Sequence, residues 1–140
     1  MSFKNKKAYY DFEIIEEFDA GIVLEGNEVK SLRNGKASII GAFCVIRNKE
    51  IFLRDSLISE YSKHYSHDPK RERKLLMLKR EIKHLKRSIE EKGLSIVPLV
   101  LKTNDRGIYK LTIALARGKK NHDKRNSLKE KDIERSLSRF

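Results

Sequence analysis

The sequence predicts a small, mainly β protein with helices, whose antiparallel strands close into an OB-like β-barrel. Two β-rich stretches, residues 42–58 and 94–118, each read as a hairpin, and a long amphipathic helical pattern separates them. The chain has 140 residues, of which 39% are hydrophobic, enough for one core. The predicted order is strand, short helix, hairpin, long helix, hairpin and tail.

The first strand follows from apolar residues that alternate with acids. Phe12, Ile14 and Phe18 are expected on one face of the strand, with glutamates on the other. Residues 19–21 contain Asp-Ala-Gly, a turn signal, and residues 22–24 resume an extended apolar run.

The stretch NEVKSLRNG predicts a short helix. Val29 and Leu32 are three residues apart, as on one helix face. Asn27 is a suitable N-cap and Gly35 a suitable terminator, so both ends of the helix are predicted.

The hairpins and the long helix follow from turn residues and periodicity. The first hairpin is expected to turn at residues 47–50, and residues 61–73 to form a loop into the helix. Gly93 should end that helix. The second hairpin is expected to turn at residues 105–107, and Pro98 implies an edge strand or a bulge. The predicted apolar stripe of the helix comprises Leu75, Leu78, Ile82, Leu85 and Ile89.

The character of the chain changes near Gly118. Residues 1–118 form the predicted barrel, and residues 119–140 a basic tail with few apolar residues, expected to be disordered when free. Ile133, Leu137 and Phe140 could share one helix face, which favours folding of the tail on a partner.

The charge of the chain limits the partners. Lys and Arg number 32 against 20 acids, a net charge of +12, which indicates nucleic acid or an anionic membrane. The longest apolar run, IVPLVL, is too short to span a bilayer, and no signal peptide is evident. Cys44, the single cysteine, lies in an apolar run and is expected to be buried. A cytoplasmic protein is the simplest prediction.

Catalytic and metal-binding patterns are weak. The sequence contains no P-loop, GxSxG or HExxH pattern. His64, His67 and Asp68 lack the second pair of ligands usual in a metal site. A nuclease would need clustered carboxylates, which are not evident in the sequence. We therefore expect no enzyme activity, no metal and no cofactor.

Basic residues cluster at two places, the N-terminus and residues 117–125, and both are candidates for phosphate contacts. The long helix is also basic, but its cations are interspersed with acids, which favours an ordinary solvated face. Those acids are Glu72, Glu81, Glu90 and Glu91.

Glu28 is a carboxylate among cations and has two interpretations. It could accept hydrogen bonds from base edges or ribose hydroxyls of an RNA, while its neighbours hold the backbone. Alternatively it could form an intramolecular pair with Arg33 or Lys30, which on a surface is worth little. Spacing alone leaves both open.

Five motifs in this sequence together resemble the SsrA-binding protein family, also called small protein B. They are NKKA at 5–8, AGIVLEGNEVKSLRNGKA at 20–37, HDPKRERKLLMLKREI at 67–82, KGLSIVPL at 92–99 and LARGKKNHDKR at 115–125. The resemblance implies an OB-like barrel that is not an enzyme. Such a protein binds the tRNA-like domain of transfer-messenger RNA and, with elongation factor Tu, delivers it to stalled ribosomes for peptide tagging.

The resemblance also implies roles for particular residues. The RNA-binding face would comprise Asn5, Lys6, Lys7, Glu28, Lys30, Arg33, Lys36, Lys119 and Lys120. The tail would enter the empty mRNA channel of the small ribosomal subunit. Its contacts with the decoding centre and channel would be made by His122, Asp123, Lys124, Arg125, Lys129, Lys131, Ile133 and Arg135. Asn27 and the short tail depart from the usual pattern. A monomer is expected, and a generic OB-like ribosomal or RNA-binding protein is the alternative.

Overall fold

The computed structural model describes residues 2–60 and 67–119. Of the predicted tail, residues 119–140, all but Lys119 lie outside the described residues, so the disorder of the tail stays a prediction. Within these residues the strands are β1 Ser2–Lys4, β2 Phe12–Ile22, β3 Ala37–Ser38, β4 Phe43–Arg47, β5 Glu50–Arg54, β6 Leu57–Ile58, β7 Arg73–Leu76, β8 Ser95–Thr103 and β9 Tyr109–Gly118. The helices of the same segments are α1 Lys6–Asp11, α2 Gly26–Arg33 and α3 Lys79–Lys92.

Seven strands form one antiparallel sheet in the order β1-β8-β9-β2-β7-β5-β4, and β3 pairs with β6 beside it. β4 also lies against β8, so the two ends of the sheet approach each other. This arrangement confirms the predicted mainly β, OB-like barrel with helices. Within the described segments, no helix is long and apolar enough to cross a membrane.

Two groups of buried apolar side chains hold the sheet and helices together. The larger fills the barrel, where α2 contributes Leu32 and α3 contributes Leu85, both fully buried. The smaller lies under α1, where Ala8 packs against Val97 and Ala114. Since residues 113–116 of β9 alternate between the two groups, this part of the strand is buried on both faces.

The hairpins and their turns are confirmed. Asn48 and Lys49 have φ of 52° and 65°, as a two-residue hairpin turn with the right twist requires. A register shift between Pro98 and Val100 is the predicted bulge at the proline. Gly93 has φ of 64° and ends α3 in the left-handed conformation.

The predicted turn at residues 19–21 is wrong. β2 continues through Gly21, because β9 supplies a ladder partner at each of these positions. A bulge between Ile14 and Glu16 also divides the strand. Ile14 lies opposite Ala116 and Glu16 opposite Leu115, and adjacent residues of β9 point to opposite faces. Phe18 therefore faces the barrel, not the side of Phe12 and Ile14.

The helical stripe is shorter than predicted. Leu75 is buried in β7, which pairs with β2 and β5, and Leu78 precedes the helix with 54% of its surface exposed. Only Ile82, Leu85 and Ile89 of the predicted stripe lie on the packed face of α3. The spacing of Leu75 fits both a strand and a helix, and the neighbouring strands determine which forms.

Helix boundaries near the N-terminus also differ. Strand β1 and helix α1 were not predicted, and β1 adds to the edge of β8. The N-cap of α2 is Glu25 rather than Asn27. The backbone N–H of Glu25 donates to the Glu28 side chain, as in a capping box. Gly35, with φ of 72°, follows the end of α2 as predicted.

Candidate nucleic-acid interface

Glu28 lies on the inner face of α2 and is fully buried. Its Oε1 accepts a hydrogen bond of 2.8 Å from the Glu25 N–H, which stabilises the first turn of the helix. A buried carboxylate is costly unless it is paired and hydrogen-bonded. The fold therefore has to supply cationic partners at this point.

Arg71 and Arg73 supply them from the segment that leads into and begins β7. Arg73 Nε and Nη2 lie 2.7 and 2.6 Å from Glu28 Oε2. Arg71 donates from Nη2 to Oε1 at 2.5 Å and from Nε to Oε2 at 3.3 Å. Two forked guanidiniums thus clamp one carboxylate and tie α2 to β7.

Arg73 is itself fully buried, and each of its guanidinium nitrogens has a hydrogen-bond acceptor. It donates to Ser56 Oγ at 2.9 Å, to the Arg71 carbonyl at 2.9 Å and to the Pro69 carbonyl at 3.1 Å. The side chain of Arg71 is 27% exposed and also donates to the Val23 carbonyl at 3.2 Å. Of the two arginines, Arg71 is therefore the one that presents positive charge at the surface.

Opposing effects act on the ionisation of this cluster. Burial by itself raises the pKa of Glu28, but Arg71, the Glu25 N–H and Arg73 outweigh burial, and the pKa lies below its ordinary value. Burial lowers the pKa of Arg73, and Glu28 offsets part of that effect. Glu28 is accordingly ionised at neutral pH.

The two interpretations of Glu28 are both revised by this geometry. One interpretation was a surface pair with Arg33 or Lys30, whereas the carboxylate is clamped by Arg71 and Arg73 in the interior. Direct reading of a nucleotide by Glu28 is not available in this conformation, because none of the side chain reaches solvent. The arginines were missed, although two arginines two residues apart before an apolar run indicate one strand face.

Asn5 is also structural in this conformation. It is 3% exposed, and its Oδ1 accepts from the Ala8 N–H at 3.3 Å as the N-cap of α1. Its Nδ2 donates to the Pro98 carbonyl at 2.8 Å, and its backbone N–H to the Leu99 carbonyl at 2.8 Å. Asn5 therefore fastens α1 to β8, and almost none of its surface is accessible in this conformation.

The cations at the two chain ends of the barrel come together. Lys6 and Lys7 are exposed on α1. Lys119, just after β9, donates from its backbone to the Asp11 carbonyl at 2.9 Å and from Nζ to the Tyr9 carbonyl at 3.1 Å. The structure thus places part of the second basic cluster beside the first.

A second exposed basic group belongs to α2 and the turn that follows it. Lys30, Arg33 and Lys36 are exposed there, and the Lys36 carbonyl accepts the Ser59 N–H at 3.0 Å. The remaining predicted contacts lie outside the described residues: Lys120, His122, Asp123, Lys124, Arg125, Lys129, Lys131, Ile133 and Arg135.

Residues 2–60 and 67–119 contain no group of three or more His, Cys, Asp or Glu placed to bind a metal ion. His67 Nε2 instead lies 2.8 Å from the Ile58 carbonyl, and His64 is outside the described residues. Cys44 is buried as predicted, and burial raises the pKa of its thiol.

Comparisons with known proteins agree along the whole chain. The family model described as "SmpB protein" matches residues 2–140. The SsrA-binding protein of Flavobacterium johnsoniae is 51% identical over 138 residues, covering 97% of this chain and 91% of the relative. The SsrA-binding protein of Cytophaga hutchinsonii is 49% identical over 142 residues, covering 100% and 93%.

A solved structure shares the fold as well. One chain of the structure described as "tmRNA-SmpB: a journey to the center of the bacterial ribosome" superposes with a TM-score of 0.72. It is 40% identical, and the match covers 91% of this chain and 94% of that one. With sequence, fold and length in agreement, the chain belongs to the SmpB family of SsrA-binding proteins.

Proposed function

We propose that this protein binds the tRNA-like domain of transfer-messenger RNA and delivers it to stalled ribosomes, where the nascent peptide is tagged and the ribosome is released. The observation that carries this proposal is the near full-length similarity to proteins named SsrA-binding protein. The likeness to a chain from a tmRNA–SmpB structure supports it. The protein acts without catalysis, metal or cofactor, as a cytoplasmic monomer.

The primary RNA face, as proposed, is built from cations on α1, on α2 with the turn that follows it, and just after β9. Lys6, Lys7, Lys30, Arg33 and Lys36 are exposed, Lys119 is half-buried, and Lys120 continues the surface. These side chains contact phosphates and so position the RNA. Shape and ribose contacts in the tRNA-like elbow then provide the specificity.

Glu28 and Asn5 contribute to this face by positioning other groups. Glu28 holds Arg71, whose partly exposed guanidinium joins the RNA contacts, and Asn5 anchors the helix that carries Lys6 and Lys7. This role accounts for a carboxylate in a cationic segment without requiring an acid to face phosphate.

The ribosomal half of the function belongs to the tail. We assign contacts with the decoding centre to His122, Asp123, Lys124 and Arg125, and contacts along the empty mRNA channel to Lys129, Lys131, Ile133 and Arg135. Elongation factor Tu is a partner only indirectly, through the RNA. The basic composition of the tail supports its placement against ribosomal RNA.

A competition assay at physiological salt tests the proposed function. Labelled transfer-messenger RNA bound to the full-length protein is challenged with the isolated tRNA-like domain, ordinary tRNA and an unstructured RNA. We expect the tRNA-like domain to compete as well as the whole RNA and the unstructured RNA to fail. Equal competition by all would favour a generic RNA-binding protein, which the charge of +12 also permits. Cleavage of the RNA on incubation with the protein and magnesium would instead favour a nuclease.

The primary face is tested by neutralising exposed lysines. Lys6→Gln with Lys7→Gln should weaken binding of the tRNA-like domain about tenfold and lower the salt slope by nearly two. The matched control is Lys92→Gln with Lys110→Gln, two exposed lysines outside the proposed face. Equal losses in the two double variants would mean that only net charge matters.

A further inference from the structure

The hairpin between β4 and β5 and the helix α3 enclose a hollow lined by lysines. Lys79, Lys83 and Lys86 lie on one face of α3, and Lys49 reaches it from the hairpin turn. Ile82, nearly buried, is its apolar lining. The hollow has a volume of about 370 Å³. We name it the lysine groove, and its residues are separate from the primary RNA face.

The four lysines of the lysine groove have no ion-pair partner within the described residues. Other cations near β4, β5 and β7 do have one: Arg47 lies 2.5 Å and Arg54 3.5 Å from Glu72, and Lys74 lies 3.2 Å from Glu50. Four like charges around one hollow repel each other. An anionic ligand would relieve that repulsion.

Two of the four acids that were expected to neutralise the long helix, Glu72 and Glu81, are engaged elsewhere. Glu72 precedes β7 and pairs with Arg47 and Arg54, and Glu81 accepts the Leu78 N–H at 2.9 Å as part of the helix N-terminus. Glu90 lines a neighbouring hollow with Lys86, one turn further along the helix. The reason for predicting an ordinary solvated face is therefore weaker for the first two turns of α3, where Lys79 and Lys83 lie.

We propose that the lysine groove binds the phosphate backbone of a second RNA segment while the primary face holds the tRNA-like domain. This inference rests on the proposed function in taking RNA as the partner. The three lysines of α3 extend over about 10 Å of helix axis, which suits a strand better than one small anion. Lysines contact phosphates without reading bases, so binding at the groove is independent of sequence.

The experiment uses the full-length protein saturated with unlabelled tRNA-like domain. A labelled, unstructured 12-nucleotide RNA is then titrated at several salt concentrations. The groove variant carries Lys49→Gln, Lys83→Gln and Lys86→Gln, and the matched control carries Lys92→Gln, Lys102→Gln and Lys110→Gln. All six lysines are exposed, so both variants should fold, and they have the same net charge.

We expect the groove variant to bind the 12-nucleotide RNA at least about tenfold more weakly than the control. Each single-strand phosphate contact adds about 0.7 to the slope of log K against log salt, so three should remove about two from that slope. Unchanged binding in the groove variant, or equal losses in both variants, would overturn the proposal. Weaker binding of the tRNA-like domain itself would make the groove part of the primary face and also overturn it.

Failure of the proposed function would be recognised separately. If the wild-type protein does not bind the tRNA-like domain, the same titration is carried out with the 12-nucleotide RNA alone. A loss confined to the groove variant would still support the lysine groove as an RNA site. Amide chemical shifts provide a second readout: the RNA should perturb residues 49 and 83 and leave the turn at residues 105–107 unchanged.

Discussion

At the scale of the residue, Glu28 holds two arginines that would otherwise repel each other. Arg73 is fully buried, and its charge is compensated by this one carboxylate together with neutral oxygens. Removing one partner of a buried ion pair leaves the other charge uncompensated, which costs more than the pair itself contributes. Loss of Glu28 should therefore destabilise the protein by more than loss of a surface ion pair would.

Glu28→Gln should lower the free energy of unfolding by about 3–5 kcal/mol, because Arg73 keeps its charge without a carboxylate. Urea unfolding monitored by circular dichroism measures the change. The control is Glu13→Gln, whose partner Arg117 lies 3.7 Å away on the surface, and it should cost less than about 1 kcal/mol. Similar values for the two variants would contradict the role of Glu28 in the core.

The same site predicts a dependence of stability on pH. The pKa of Glu28 is lowered in the folded state, so its contribution is complete above the unfolded-state pKa and is lost as pH falls through the folded-state pKa. The difference in unfolding free energy between wild type and Glu28→Gln should be constant near pH 7 and shrink below about pH 4. A difference that stays constant down to pH 2 would show that the pKa is not lowered.

Arg71 provides a test of whether Glu28 acts on RNA through positioning. Arg71→Gln leaves the buried pair of Glu28 and Arg73 in place, so the protein should remain folded. It should nevertheless weaken binding of the tRNA-like domain and lower the salt slope by nearly one. Unchanged affinity in a folded Arg71→Gln variant would remove Arg71 from the proposed RNA face.

At the scale of the element, α3 ends at a glycine in the left-handed conformation and packs against the barrel through one face. Gly93 ends the helix with φ of 64°, where an added Cβ would meet no atom within 4 Å. A side chain at position 93 would therefore destabilise the protein through its unfavourable backbone conformation and not through a steric clash. Along the face, Leu85 is fully buried, whereas Leu78 at the start is largely exposed.

Gly93→Ala should destabilise the protein by about 1 kcal/mol, because alanine is disfavoured in the left-handed conformation. Gly26→Ala is the matched control, since Gly26 lies in the first turn of α2, also in open space and without a positive φ. It should be neutral or slightly stabilising. Thermal unfolding of both variants measures the contrast, and equal effects would rule out a left-handed Gly93.

Leu85→Ala should cost about 2–5 kcal/mol through lost burial and a cavity in the barrel. Leu78→Ala should change stability by less than about 1 kcal/mol, because its side chain is 54% exposed. Chemical denaturation of the two variants gives both numbers. A large loss for Leu78→Ala would place that leucine in the core, as its spacing in the sequence first suggested.

At the scale of the whole molecule, the barrel and the tail are expected to perform separate tasks. The proposed primary face lies on the described barrel, and Lys119 still belongs to that barrel, because its backbone N–H donates to the Asp11 carbonyl. Removing residues 120–140 should therefore leave affinity for the tRNA-like domain within a few-fold and abolish peptide tagging on stalled ribosomes. A large loss of affinity would instead make the tail part of the primary RNA site.

The local features were predictable from the sequence because they depend on neighbouring residues. A two-residue turn at Asn48 and Lys49, a left-handed glycine at 93 and a bulge at Pro98 are properties of short segments. The alternation of β-rich hairpins with one amphipathic helix was sufficient to indicate an OB-like barrel. Five family motifs in order were sufficient to indicate the family and its RNA partner.

The features that were missed depend on residues distant in the chain. Leu75 fits a strand or a helix, and only pairing with β2 and β5 makes it a strand residue. Glu28 is 43 residues from Arg71 and 45 from Arg73, so no local pattern joins them. A buried charge is stabilised by whatever partners the tertiary fold brings within hydrogen-bonding distance, and sequence spacing carries no record of that distance.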